Sequence, residues 1–153
     1  MDTIAFAKFF VDATVEVLST MAGITPKAGK PYVKKDDTAC GDLTAIVGVT
    51  GERCGSIAVT FPRDTAVAVV QGMLGDDIGD LMQDTRDTVG EVTNMISGHA
   101  RAKLSEAGCT MQGSTPIVVS GASHSVSHLS QAPVMALPFS TDVGEFTVEF
   151  CLE

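Results

Sequence analysis

The chain is short of positive charge: 10 Lys and Arg stand against 19 Asp and Glu, a formal net charge of −9. That balance argues against nucleic acid or an anionic membrane as a partner. No apolar run approaches the roughly 20 residues that span a bilayer. The start, MDTIAFAKFF, carries an acid at position 2 and lacks a basic segment leading to a cleavage site, so it does not read as a signal peptide. Cys40, Cys54, Cys109 and Cys151 form no Cys-x-x-Cys pair, and three of them sit among apolar or strand-like neighbours. This predicts buried, reduced thiols in a cytoplasmic protein and leaves no ligand spacing for a zinc module. His124 and His128 are four apart, but the surrounding SGASHSVSHLS is Ser/Gly-rich and not helical in pattern, so they do not read as a metal pair.

What remains is 153 residues, 44% hydrophobic and 19% charged, enough for one globular domain spanning 1–153. Its organising stretch is 84–108, DTRDTVGEVTNMISGHARAKLSEAG. At about 100° per residue it is an amphipathic helix. Val89, Val92, Ile96, Ala100 and Leu104 form one stripe. Asp87, Glu91, Asn94, Gly98, Arg101 and Ser105 form the other. Asp84 can cap the start, or Asp80 if the helix begins earlier, and Gly108 sits where a left-handed residue ends helices. Asp87, Glu91 and Asn94 point the same way, and Gly98 leaves that face flat one turn on.

Around this helix, residues 2–22 read as a first helix, with Ile4, Phe9, Val11, Val15, Leu18 and Ala22 as its apolar face and Gly23 as its stop. Residues 25–37 form a loop leading into a short strand at Tyr32 and Val33. Residues 43–49 and 56–61 are strand-like around a turn at 50–53. A short helix follows, capped by Asp64 and stopped at Gly75, and then a polar linker over 76–80. Residues 111–119 are extended, 121–127 a flexible loop, and 129–139 with 146–152 a final hairpin. Short turns between neighbouring strands imply an antiparallel sheet. Asp12, Glu16, Val17 and Gly23 match Asp87, Glu91, Val92 and Gly98 at an offset of 75, which suggests a pseudo-twofold internal repeat. The first copy has Ser19 where the second has Asn94, and a hydroxyl cannot present the amide's paired donor and acceptor.

The spacing Asp87-x3-Glu91-x2-Asn94-x21-Pro116, within GEVTNMISGHA and followed by TPIVVSG, resembles the CheX-type members of the CheC/CheX/FliY family of chemotaxis phosphatases. The resemblance covers nearly the whole chain. It implies an α+β, α/β sandwich-like domain: an antiparallel six-stranded sheet packed with two long helices and one short one. It also implies a homodimer joined sheet edge to sheet edge, and a single active motif.

The activity it implies is hydrolysis of the aspartyl phosphate on a CheY-like receiver domain. The receiver supplies the phospho-aspartate and Mg²⁺, and the phosphatase needs no cofactor or metal of its own. Asn94 would orient the attacking water and Glu91 would pair with a basic residue of the partner, with Asp87 and Gly98 as partner-binding positions. Asp87 serves equally as charge compensation at the helix start. Pro116 reads as fixing the start of a strand or loop, and Arg101 and Lys103 as solvated helix charges. The competing class is a non-catalytic binding or flagellar-switch-like module on the same scaffold. Intact Glu91 and Asn94 favour the enzyme.

Overall fold

The computed structural model describes residues 3–36, 39, 41–121, 124–128 and 132–153. Asp2, Asp37, Cys40 and Leu129, with the side chain of Ile4, lie outside the described residues. The first half of the chain runs α1 (Thr3–Ala22), β1 (Lys27–Ala28), β2 (Tyr32–Val33), β3 (Leu43–Gly51), β4 (Gly55–Phe61) and α2 (Arg63–Leu74). After a single 3₁₀ turn come α3 (Leu81–Glu106), β5 (Met111–Gly113), β6 (Ile117–Ser120), β7 (Met135–Thr141) and β8 (Gly144–Leu152).

α3 starts ahead of Asp84 because Asp80 is the residue that caps it, accepting from the Gln83 amide at 3.2 Å. Asp84 instead reaches back to the amides of Gly79 and Asp80, at 2.9 and 3.2 Å. α2 likewise starts one residue before Asp64, with Pro62 as its cap position. The predicted apolar stripe of α3 is fully buried, and Gly108 follows the helix with φ at 95°. α1 buries only part of the expected face, Leu18 and Ala22, and adds residues beside it. Phe6, Phe10, Ala13, Val17 and Leu18 carry its core contacts, whereas Phe9, Val11 and Val15 are only partly buried. The Phe10 ring stacks on Phe150 with centroids 4.4 Å apart, which sets the rotation of α1 on the sheet.

The three helices cover one face of an antiparallel sheet in the order β1-β7-β8-β4-β3-β5, with β2 also on β7 and β6 also on β3. The sheet has eight strands among the described residues where six were expected, although these occupy six ranks. The difference lies at the edges, where each outer rank is broken into two short strands. Val49 faces Gly113 and Ile46 faces Ile117, so three steps along β3 are matched by four on the outer chain. One extra residue makes a bulge. The far edge does the same: Phe139 faces Ala28 and Ala136 faces Tyr32. Exchanging the β1/β2 rank with β5/β6, β3 with β7, and β4 with β8 returns the same strand order reversed.

The sheet's second face is covered by irregular chain. Val126 packs on Ala58 and Ile46, and the His124 ring meets Thr44 Oγ1 and the Gly121 carbonyl. His128 Nδ1 lies 2.6 Å from Ser56 Oγ, and its Nε2 lies 3.1 Å from Glu149 Oε1. The expected flexible loop is therefore, over 124–128, held by the side chains of His124, Val126 and His128. The two histidines serve different partners rather than one ion. The thiols divide as well: Cys151 is buried with its Sγ donating to the Ala132 carbonyl, Cys109 is half-buried, and Cys54 is exposed in the β3–β4 turn. Burial therefore holds for Cys151 and fails for Cys54, since the turn carries it past the end of the sheet.

Glu149, on β8, is fully buried beneath this layer. Lys34 Nζ donates to its Oε2 at 3.0 Å. Burial alone would push the Glu149 carboxyl up, but the His128 hydrogen bond and the Lys34 charge outweigh it and hold it below the usual carboxylate range. A depressed folded value adds stability that is fully present above the unfolded value and is lost as pH falls through the folded one. Glu149→Gln leaves Lys34 buried without its countercharge and should cost roughly 3 kcal/mol near neutral pH. Urea unfolding of both proteins across pH should show that gap closing as the solution is acidified below the carboxylate range.

Candidate functional site

The burial of the α3 stripe turns the opposite face of the helix outward beside the β5/β6 edge. The helix lies close against that edge at Gly90, where an added Cβ would meet Val118 Cγ2 at 3.2 Å and Pro116 Cγ at 3.9 Å. A groove of about 660 Å³ opens along this line. Gln83, Arg86, Asp87, Glu91 and Asn94 form its helix side. The bulged segment, from Gly113 through Ser114, Thr115 and Pro116 to Val118, forms its wall. The bulge is held by a reciprocal pair of bonds at 2.8 and 2.9 Å, from the Ser114 amide to the Gly48 carbonyl and from the Gly48 amide to Ser114 Oγ.

All four motif positions therefore meet in one groove. Asp87 and Glu91 are exposed and Asn94 is half-buried. Asp87 Oδ1 accepts from Gln83 Nε2 at 2.8 Å, which holds its carboxylate toward the start of the helix. Among the described residues, no side chain or backbone group bonds the Glu91 carboxylate or the Asn94 amide. These two groups face the groove with their bonding capacity unspent. The counterpart in α1 is spent: Glu16 lies 3.5 Å from Lys103 Nζ and 3.9 Å from His99 Nδ1. The described residues contain no cluster of three His, Cys, Asp or Glu side chains able to hold a metal.

Pro116 precedes β6, as expected, and lines the groove as well. Gly98 lies off the groove lining. An added Cβ there would meet only an Arg101 guanidinium nitrogen at 3.9 Å, so the helix surface is open at that point. Arg101 and Lys103 are not plain solvated charges. Arg101 Nε donates to Ser97 Oγ at 3.1 Å and its guanidinium packs on Gly113, while Lys103 pairs with Glu16. Gln83, Arg86, Gly90, Ser114 and Thr115 were missed. Gln83 and Gly90 fall on the Asp87–Asn94 side by helical phase and could have been read. Arg86 and the wall depend on where β6 lies, which no local pattern reports.

The chemistry available is that of a carboxylate and an amide held at fixed separation on a rigid helix. The carboxylate can form an ion pair. The amide can donate and accept at once, and so can align a water molecule.

Comparison with known proteins bears on the same elements. The family model for the chemotaxis phosphatase CheX matches residues 43–140. The CheY-P phosphatase CheX of Thermotoga maritima is 31% identical over 112 residues, 72% of each chain. The crystal structure of the chemotaxis protein CheX from Desulfovibrio desulfuricans is 62% identical, with a TM-score of 0.92 over 97% of this chain and 99% of that one. The CheX of a CheX–CheY–BeF₃–Mg²⁺ complex from Borrelia burgdorferi shares the fold, with a TM-score of 0.81 at 24% identity over 97% of each chain. With its groove built on the motif helix and its sequence matched from β3 into β7, this chain belongs to the chemotaxis phosphatase CheX family.

Proposed function

We propose that the protein is a phosphatase that hydrolyses the aspartyl phosphate of a CheY-like response regulator and so ends a chemotaxis signal. The observation that carries this reading is the pair of unpartnered groups, Glu91 and Asn94, facing an open groove. An acyl phosphate is already labile, and its hydrolysis needs an in-line water and neutralised phosphoryl oxygens. The Borrelia burgdorferi structure is a complex of CheX with CheY, Mg²⁺ and BeF₃, a stand-in for a phosphoryl group. In this reading the receiver supplies Mg²⁺, and this chain contributes no cofactor.

Asn94 orients the water through its amide. Glu91 pairs with a basic residue of the receiver and sets the register of the helix in the partner's active site. Asp87, at the edge of the groove, adds to docking, and Gly98 lets the partner's surface lie close to the helix one turn beyond it. The protein works in the cytoplasm beside its receiver. Among the described residues, no helix is long and apolar enough to cross a membrane.

Asn94→Ala should lower the catalysed rate about 10²-fold, the scale of losing one positioned polar group, with little change in binding. Glu91→Ala should weaken both rate and binding. Phosphate release from phosphorylated receiver domain, at matched folded concentration, measures both effects. Unchanged acceleration by Asn94→Ala would leave the groove a docking surface without catalysis. Ser19→Asn should create no second site, because Glu16 is already engaged by Lys103 and His99.

We further propose a homodimer joined through a sheet edge. Both edges are open among the described residues and carry exposed apolar side chains, Tyr32 and Val33 on one and Ile117 and Val119 on the other. Light scattering at micromolar concentration should give twice the chain mass, and a monomer there would contradict the proposal.

A further inference from the structure

Among the described residues, Arg86 is the only cation lining the groove, yet its guanidinium is committed within the protein. Nη1 donates to Ser120 Oγ at 2.6 Å and Nη2 to the Val118 carbonyl at 3.3 Å. That carbonyl is free to accept for a reason of register. The Gly121 amide donates to the Asp42 carbonyl, and the ladder continues with Thr44 facing Val119 and Ile46 facing Ile117. In an antiparallel ladder the mutually bonded pairs alternate, so Val118, facing Ala45, turns its carbonyl away from β3 toward the open edge. Arg86 takes up this edge carbonyl and the hydroxyl two residues on, with two arms of one planar fork. One turn further along α3, Gly90 lets Val118 approach to van der Waals distance.

We infer that Arg86 is a positioning residue for docking: it ties β6 to α3 and so sets the width of the groove that receives the partner. This rests on the reading of the groove as the receiver's docking site. The tie holds the wall, whereas Glu91 and Asn94 stand on the helix, so its loss acts on KM and leaves kcat nearly untouched. That split separates it from Asn94, whose loss acts on kcat.

The test is phosphate release from phosphorylated receiver domain with wild type, Arg86→Met, Arg86→Lys, Ser120→Ala, the Arg86→Met/Ser120→Ala double variant and Asn94→Ala. Amide hydrogen exchange over residues 113–120 is measured in parallel, without partner. Arg86→Met should raise KM about tenfold, the equivalent of one charge-assisted hydrogen bond, with kcat within about twofold. Arg86→Lys should resemble it, since one ammonium cannot bridge both acceptors in the same geometry. Ser120→Ala should raise KM about threefold alone and add nothing on top of Arg86→Met, as expected when two groups act through one bond. Exchange over 113–120 should quicken in Arg86→Met.

Wild-type behaviour of Arg86→Lys together with a neutral Ser120→Ala would overturn the tie and make Arg86 a charge that meets the partner directly. Unchanged exchange in Arg86→Met would overturn it as well. If wild type releases no phosphate, or Asn94→Ala is neutral, while exchange still quickens in Arg86→Met, the phosphatase reading fails and takes the docking role with it, leaving only the tie.

Discussion

The constraint on which the rest depends is the burial of one stripe of α3 against the sheet. Val89, Val92, Ile96 and Leu104 are essentially solvent-free, and each contributes on the order of 2 kcal/mol by leaving water. Turning the helix by one residue, about 100°, would pull part of that stripe into solvent. The rotation of α3 is therefore locked from below, and with it the direction in which Asp87, Glu91 and Asn94 point. Thr93 and Thr85 help by returning their hydroxyls to carbonyls one turn back, which lets polar side chains sit in the buried flank without orphaned donors. The polar face is precise because the apolar face has no alternative.

A helix face alone is a convex surface. It becomes a groove because the neighbouring sheet edge is bulged between β5 and β6. The extra residue lifts the Ser114–Pro116 segment into a wall, and Gly90 allows the wall to close against the helix at its base. The opposite edge has the same one-residue bulge, with Pro31 before β2 as Pro116 stands before β6. The two halves diverge in what their helices do with their acids. Glu16 is drawn into ion pairs with α3, while Glu91 is left to the groove. Similar shapes thus yield an occupied face on one side and an available one on the other.

The remaining sheet face is closed by chain with little regular structure, and polar pairing takes the place of packing there. Lys34, Glu149, His128 and Ser56 form one connected set, and Thr44, Thr60 and His124 another. A buried Glu on a central strand is tolerable only because both of its oxygens are met by donors. This is also why β4 and β8 are buried on both faces in a sheet that carries helices on only one.

Hydrophobic period and turn chemistry act over a few residues, so the sequence by itself determined the helices, most strands, the antiparallel pairing and the shared direction of Asp87, Glu91 and Asn94. The symmetry of the strand order was not legible from the offset of 75. Glu16 and Glu91 are 75 apart, but Pro31 and Pro116 are 85 apart, because α3 runs on to Glu106 where α1 stops at Ala22. A comparison at fixed offset loses the second half of the match. What only the tertiary structure decided are facts about non-neighbours: which face α1 buries, the pinning of His124 and His128, the engagement of Glu16, the bulge that breaks 111–119 into two strands, and the reach of Arg86 to Ser120. Each depends on which distant backbone comes to lie alongside, and side-chain periodicity carries no record of that.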